Sequence, residues 1–413
     1  MKLLLTSAGF ENKRIAEIFL ALAGKRPENI KAVFIPTAAV NADAIEVLPK
    51  CLHDLLDCGI PKENIRVYDL HKKMTLEELK TEMERQGEKS FRAGQLYDWM
   101  HNKLAASYEE MTNIPLSLRK KLEDQYPYVS LKPVEIQESR LDGTRKFLFA
   151  LSDGNMVESV WMKYKHGNSV CISSQVGCKM GCRFCASTLD GWERNLLPSE
   201  MLDQIYAITR LTGERVSHVV VMGTGEPMDN FDNLLTFIHI LTEAHGLHIS
   251  QRNITVSTCG IVPKMRELAE KGLSITLALS LHATTDEKRR KLMPVAETYH
   301  MDELMDACAY YFEKTGRRIT FEYSLVAGVN DTPGDAMQLS ALAGPLNCHV
   351  NLIPVNPIKE RTYRQSGQAE ILAFKNKLEK NKINVTVRRE MGRDIDGACG
   401  QLRRRHIYEE KSR

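Results

Sequence analysis

The run Cys178-Lys-Met-Gly-Cys182-Arg-Phe-Cys185 places three thiols at CxxxCxxC spacing. Three closely spaced thiolates can wrap three corners of an iron–sulfur cube, with Gly181 easing the turn between them, and leave one iron open to chelate a small molecule. A structural zinc site is the competing reading, but zinc ordinarily takes four protein ligands in two CxxC-like pairs, and no second pair follows at the usual distance. Two more cysteines are singled out, Cys171 on a strand-like run and Cys399 outside any apolar periodic run. Cys171 lies seven residues before Cys178, and Cys399 sits in the Gly-flanked segment Asp394-Ile-Asp-Gly-Ala-Cys399-Gly-Gln-Leu402. Arg388, Arg389 and Arg393 are near enough in sequence to stabilise a Cys399 thiolate. Cys51, Cys58, Cys259, Cys308 and Cys348 read as small buried hydrophobes.

The elements that must position these thiols are βα units. Short runs rich in Val and Ile at residues 169–172, 217–222, 253–257, 274–281, 318–325 and 349–354 are each followed by an amphipathic stretch. That alternation predicts an α/β fold with right-handed crossovers and a parallel sheet, an open or partial (β/α)6 barrel. Chemistry in such a barrel gathers where strands end. After the second strand, Gly223-Thr-Gly225-Glu226-Pro227 offers small residues that admit a ligand to the backbone and a carboxylate able to accept hydrogen bonds from an ammonium group. Ser257, Ser280, His282 and Asn356 follow other strands. Each alone reads equally as a cap or a satisfied polar residue; together they can line one pocket.

The cysteine spacing resembles that of the radical S-adenosylmethionine (SAM) superfamily, in which the open iron binds SAM. Residues 75–406 resemble the RlmN-type adenine carbon-2 methyltransferases through Met162-Lys-Tyr-Lys-His-Gly167, Cys171-Ile-Ser-Ser-Gln175, the cysteine loop, Met222-Gly-Thr-Gly-Glu-Pro227, Ser257-Thr-Cys-Gly-Ile-Val-Pro263, Ser280-Leu281-His282-Ala283, Asn351-Leu-Ile-Pro-Val-Asn-Pro357 and Asp396–Leu402. The resemblance implies a [4Fe-4S] cluster on Cys178, Cys182 and Cys185. It implies SAM, two per turnover, bound around Gly225, Glu226, Ser257, Ser280, Leu281, His282 and Asn356. Cys399 would become S-methylcysteine, Cys171 would be the thiol that resolves an RNA–enzyme adduct by disulfide exchange, and Glu158 would take the proton from carbon 2. From its sequence setting alone, Glu158 is an edge-strand carboxylate on a solvated face. The implied substrates are 23S rRNA in its peptidyl transferase loop and tRNA at the adenosine 3′ of the anticodon, with flavodoxin or ferredoxin as electron donor. The sister family that methylates adenine carbon 8 shares the cysteines, but its Gly-Glu is typically not followed by proline, so Pro227 favours carbon 2. A non-catalytic iron–sulfur or zinc RNA-binding protein is the alternative of another class, and it would need neither Cys399 nor the Gly-Glu turn.

Charge agrees with an RNA partner without demanding one. Lys+Arg 56 against Asp+Glu 53 leaves a formal charge of +3, so phosphate affinity must come from local patches. Lys163, Lys165 and His166, the arginines at 388, 389 and 393, and Arg403-Arg-Arg-His406 are the candidates. A target base must lie in a loop or be extruded, because stacking hides its edge.

Around this core, residues 73–128 read as a helical module opened by the capping box Thr75-Leu-Glu-Glu78, with Phe91, Leu96 and Trp99 as its own core, and the family resemblance implies that it binds RNA. Residues 129–167 alternate as a connecting β ribbon, 168–406 form the methyltransferase core, and 407–413 are a polar tail. Residues 1–72 read β-α-β-α-β, resembling the opening of a peptidase E-like, class I glutamine amidotransferase-like fold. They hold no nucleophile elbow, and no peptidase activity is expected of them. With 413 residues, 43% hydrophobic, and charges interrupting the apolar start at Glu11, Lys13 and Arg14, the chain is expected to be a cytoplasmic monomer away from membranes. Its ten cysteines then serve as metal ligands and redox thiols, not as a disulfide scaffold.

Overall fold

The computed structural model describes residues 13–30, 32–34, 54–61, 65–67, 75–126, 128, 130–356 and 360–411. They belong to two units, residues 1–130 with 151–155, and residues 131–150 with 156–413.

In the first unit, helix α1 (Lys13–Ala23) precedes two short strands, β1 (Ala32–Phe34) and β2 (Ile65–Val67), which pair in parallel. Ile30, Leu55 and Ile60 form a small core with Phe19 and Leu20 packed against it. The expected strand at Leu3–Ser7 lies outside the described residues. Helices α2 (Leu76–Arg85), α3 (Phe91–His101) and α4 (Leu116–Gln125) share another core around Met83, Leu96, Tyr97, Met111 and Leu122. The predicted capping box starts α2: Thr75 Oγ1 accepts from Glu78 N at 3.3 Å, and Glu78 Oε2 accepts from Thr75 N at 2.9 Å. Phe91 departs from expectation. It is 53% exposed, with the Arg92 guanidinium 4.8 Å from its ring centre, while Leu96 is buried and Trp99 packs on the core.

The second unit is built on a ten-stranded sheet. Its strands are β3 (Lys132–Glu138), β4 (Arg145–Ala150), β5 (Met156–Tyr164), β6 (Gly167–Ile172), β9 (Val216–Val221), β10 (Ile254–Thr258), β11 (Thr276–Ser280), β12 (Ile319–Leu325), β13 (Cys348–Pro354) and β14 (Val385–Val387). A separate antiparallel hairpin, β7 (Gln175–Gly177) and β8 (Trp192–Asn195), follows β6. The sheet order is β14-β13-β12-β11-β10-β9-β6-β5-β4-β3. All pairs from β6 to β14 are parallel, and those from β3 to β6 are antiparallel. Crossover helices α5 (Pro198–Thr212), α6 (Phe231–Thr242), α7 (Val262–Glu270), α8 (Asp286–Leu292) with α9 (Met301–Thr315), α10 (Pro333–Ala343) and α11 (Gln368–Lys380) separate the parallel strands, and α12 (Gln401–Lys411) closes the chain.

All six strands read from the sequence are present, and β14 adds a seventh parallel one. Central strands are near-continuous apolar runs because helices and barrel interior cover both faces: Leu277, Ala278, Leu279, Phe321 and Tyr323 are fully buried. Residues 132–164 differ from the expected connecting ribbon. They are integral strands of the same sheet, so β5 lies between β4 and β6, and Glu158 is an interior, buried residue instead of a solvated edge one. Among the described residues β3 and β14 do not pair, which leaves the barrel partial.

Candidate active site

The three cysteines of the CxxxCxxC run hang on the β7–β8 stem, in the connection between Gly177 and Trp192. Gly177 has φ +74°, and a Cβ there would collide with the Gly191 carbonyl oxygen, so the stem can close only with glycine. Cys178 N donates to that same oxygen at 2.8 Å. Thr188 Oγ1 donates to the carbonyls of Cys182 and Cys185 at 3.1 and 3.0 Å, rounding the loop into a turn. Cys178, Cys182 and Cys185 all line one cavity of about 240 Å³ at the C-terminal ends of the parallel strands.

The donor set fits a cluster. Burial pushes the Cys178 thiol up to about 12, and burial followed by the charges of Cys185 and Cys178 pushes Cys182 well above its ordinary value. Three such thiols ionise together only against bound cations, which the irons would supply. Among the described residues no three His, Cys, Asp or Glu side chains converge in a group that would hold a single metal ion. A cube, in contrast, takes one thiolate at each of three separate corners. Next to this loop, Arg289 is fully buried; its Nε donates to Leu281 O at 3.2 Å and its Nη2 to Cys259 O at 2.5 Å, while Nη1 has no hydrogen-bond partner. Cys259 and Cys182 lead the charges that act to raise its pKa, opposing burial, which lowers it. A buried cation beside the loop acts against the burial that raises Cys182 and Cys259 and so favours their charged form.

Facing the loop, the Gly-Glu-Pro turn is held by Gln175. Gln175 Oε1 accepts from Glu226 N at 2.8 Å, and its Nε2 donates to Asn195 Oδ1 at 2.7 Å and Asp229 Oδ2 at 2.9 Å. Gly225, at φ +109°, would drive a Cβ to 2.6 Å from Gln175 Cβ and 2.8 Å from its backbone nitrogen. Its smallness therefore serves this chain-to-chain approach as well as cavity access. Glu226 is 3% exposed; Oε1 accepts from Met228 N at 3.1 Å and Oε2 from Cys259 N at 2.7 Å, and burial raises its pKa. The Thr258 and Cys259 side chains also hydrogen-bond this carboxylate, so a ligand's ammonium group would share or replace one of these partners. Ser257, Ser280, His282 and Asn356 line the same cavity, with the two serine hydroxyls 3.5 Å apart. His282 adopts φ +55°, its Nδ1 accepts from Ser324 N at 2.9 Å, and burial lowers its pKa to about 3, so it is a neutral acceptor. Leu281 is not in the cavity lining; its fully buried side chain lies in the core, and its carbonyl receives Arg289.

At the cavity edge, Cys399 meets Cys171. The two thiols hydrogen-bond each other, and Cys399 Sγ lies 3.6 Å from the Met222 carbonyl oxygen. That bond, with Lys146 and Arg388 assisting against burial, lowers Cys399 to about 6; the same bond and burial raise Cys171 well above its ordinary value. Glu158 does not line the cavity but stands behind Cys399, where Oε2 accepts from Gly400 N at 2.7 Å and Oε1 from Arg403 N at 2.6 Å.

Several residues escaped the sequence reading. Cys259 lines the cavity and hydrogen-bonds Glu226, so it is more than packing, and the buried Glu322 joins it, held by Asn351 Nδ2 at 2.8 Å. Of the three nearby arginines, Arg388 lines the cavity, whereas Arg393 pairs with Glu390 at 2.6 Å. The Arg403–Arg405 run is engaged inside the fold: Arg403 with Glu193, Arg404 with Glu360, and Arg405 with Glu135 and Asp396.

A curled parallel sheet with a three-cysteine loop after its first parallel strand defines a radical SAM enzyme. Residues 172–339 match the radical SAM superfamily, and residues 71–126 match the ribosomal RNA large subunit methyltransferase N-terminal domain. A probable dual-specificity RNA methyltransferase RlmN from Lachnospira eligens is 66% identical over 336 residues, 81% of this chain and 96% of that protein. The equivalent from Lachnoclostridium phytofermentans is 64% identical over 81% of this chain and 94% of its own length. A crystal structure of a radical SAM methyltransferase from Sphaerobacter thermophilus, 40% identical, superposes with TM-score 0.77 over 79% of this chain and 97% of that one. The chain belongs to the RlmN family of radical SAM RNA methyltransferases, and with that family come a [4Fe-4S] cluster and SAM.

Proposed function

We propose that this enzyme methylates carbon 2 of adenosine in 23S rRNA and in tRNA, with Cys399 carrying the methyl group between SAM and the base. The observation that carries the reading is that Cys399, paired with Cys171, lines the same cavity as the three-cysteine loop, the Gly-Glu-Pro turn and Ser257, Ser280, His282 and Asn356. When bound, the cluster on Cys178, Cys182 and Cys185 and the SAM beside Glu226, Ser257, Ser280, His282 and Asn356 supply a methyl group and the radical chemistry that joins its carbon to an electron-poor ring.

The chain's own residues do the rest. The Cys399 thiolate displaces the methyl group from the SAM sulfonium, with S-adenosylhomocysteine as leaving group. Once that carbon is attached to the base, the adduct must give up one electron, which the cluster would take back, and Glu158 takes the proton from carbon 2, which requires the carboxylate to give up a backbone partner. Cys171 then loses its proton and bonds to the Cys399 sulfur. The sulfur–carbon bond breaks, its electron pair leaves with the carbon, which is protonated to methyl, and the resulting disulfide takes two electrons from an external reductant before the next turnover. Cys171, buried and protonated, is suited to wait until this last step.

Flavodoxin or ferredoxin is the electron donor we infer for the cluster. The cytoplasm and a monomeric state complete the setting, in keeping with the fact that no described helix is long and apolar enough to cross a membrane. Residues 1–72 form a non-catalytic appendage in this reading, since the match to the methyltransferase begins at residue 71. The test is incubation with methyl-deuterated SAM, reductant and unmodified rRNA or tRNA, then nuclease digestion and mass spectrometry. Label in 2-methyladenosine is expected; label in 8-methyladenosine, or none with a loaded cluster, overturns the reading.

A further inference from the structure

We propose that Lys146 is a positioning residue for Cys399, acting with Glu158 as a buried clamp on the two residues that flank the thiol. Lys146 is 0% exposed and Glu158 4%, and Lys146 Nζ stands 2.9 Å from Glu158 Oε2. They sit on neighbouring antiparallel strands, where Leu148 is opposite Glu158 and Lys146 is one same-face step away. Each spends its other bonds on the Cys399 segment. Lys146 Nζ donates to the carbonyls of Asp396 at 2.6 Å and Ala398 at 2.5 Å; Glu158 accepts from Gly400 N and Arg403 N at 2.7 and 2.6 Å. The carbonyl before Cys399 and the amide after it are thus fixed by one ion pair.

Helix capping explains only part of this. Glu158 at the N-terminus of α12 is favourably placed against the amides and dipole there. Lys146 bonds to carbonyls that precede the helix, so its contacts serve the turn that aims the sulfur. General packing does not call for the pair either, because a buried ion pair is a poor device for stability compared with apolar residues of like volume. The outer parts of the segment have other anchors, Asp394 on Ser139 Oγ at 2.6 Å and Asp396 N on Gln137 Oε1 at 2.9 Å. Among the described residues, only the clamp grips Ala398 and Gly400 by side-chain hydrogen bonds. The two charges act on the sulfur in opposite senses, Lys146 favouring the Cys399 thiolate and Glu158 opposing it, so what the pair does jointly is geometric.

The inference rests on Cys399 being the methyl acceptor, so the experiment reads that step without RNA. Cluster-loaded full-length enzyme, reduced and demethylated at Cys399, is mixed with SAM, and S-methylcysteine is followed in the Cys399 peptide by mass spectrometry. Iron content and SAM affinity are measured in parallel. Lys146→Met alone would strand a buried carboxylate, so the main variant is Lys146→Met with Glu158→Gln, which removes both charges. Iron content and SAM affinity should match wild type while methylation slows by about a hundredfold, the effect of an ångström-scale misplacement of a reacting group. Lys146→Arg keeps the cation and its donors and should retain roughly a tenth or more of the wild-type rate. Wild-type methylation in the double variant overturns the clamp, as does a joint fall of iron, SAM affinity and methylation in every variant, which marks an ordinary folding pair. Wild-type enzyme that never forms S-methylcysteine overturns the acceptor role of Cys399 itself, and the clamp with it.

Discussion

Cys171 and Cys399 form a coupled pair in which a proton shared between the two sulfurs lowers the pKa of Cys399 and raises that of Cys171. A methyl acceptor must be a thiolate when SAM arrives, and a resolving thiol must not compete with it for the same methyl group. The alkylation of Cys399 by iodoacetamide should therefore follow a midpoint near pH 6, since the thiolate is present above that value and lost as pH falls through it, against about 8.5 for an unperturbed cysteine. In Cys171→Ala the largest stabilising bond is gone and the midpoint should move upward. An unchanged midpoint refutes the shared proton.

The same variant tests the resolution step. Cys171→Ala should still methylate Cys399 and attach the base, but no thiol remains to attack the Cys399 sulfur, so enzyme should accumulate cross-linked to RNA. Digestion and peptide mass spectrometry should place the adduct on Cys399. Normal product release would return Cys171 to the role of a buried hydrophobe.

Cluster binding is predicted to depend on thiols and charge separately. Cys182→Ala should lose iron and SAM cleavage outright. Arg289→Met should load less iron, and what loads should reduce at a potential lower by on the order of tens of millivolts, because reduction adds negative charge beside a site that has lost its cation. An EPR-monitored redox titration checks the sign; an unshifted midpoint removes Arg289 from the cluster's electrostatics.

Gly225→Ala probes the turn. A side chain at φ +109° pressed against Gln175 combines backbone strain with a clash on a core strand end. Destabilisation on the order of 3 kcal/mol is expected in chemical denaturation, with Gly143→Ala, which has φ +72° but open space around it, losing less.

Removal of residues 1–72 should leave methylation of rRNA and tRNA within about twofold of wild type, since the capping box at Thr75 opens the next helix by itself. A soluble, cluster-loaded but inactive truncation would show that the segment takes part in the reaction.

The six parallel strands and the cysteine loop were legible because period and spacing are local properties of a sequence. The status of Glu158 was not. Whether a strand is an edge or an interior one depends on its neighbours in the sheet, and β4 and β6 supply them through pairings no single segment announces. Lys146 is hidden for a like reason: in Arg145-Lys-Phe-Leu-Phe-Ala150 it occupies what reads as a polar, outward position, and its partners lie about 250 residues away. Cys259 sat in a recognised motif yet resembled packing, because Glu226 reaches it only across strands. Gly225 was assigned to ligand access from its neighbours in sequence, whereas Gln175, fifty residues earlier, is what crowds it. The three-residue β14 is too short for a pattern to form.

The bonds from Gly400 and Arg403 to Glu158 close loops of 242 and 245 residues. Contacts of such separation carry the greatest loop-closure entropy and form after local ones. The β7–β8 stem and the successive βα units can be complete while the Cys399 segment is still undocked. During refolding, the Cys399 sulfur is then among the last parts of the site to arrive, and under denaturing stress it is among the first to leave.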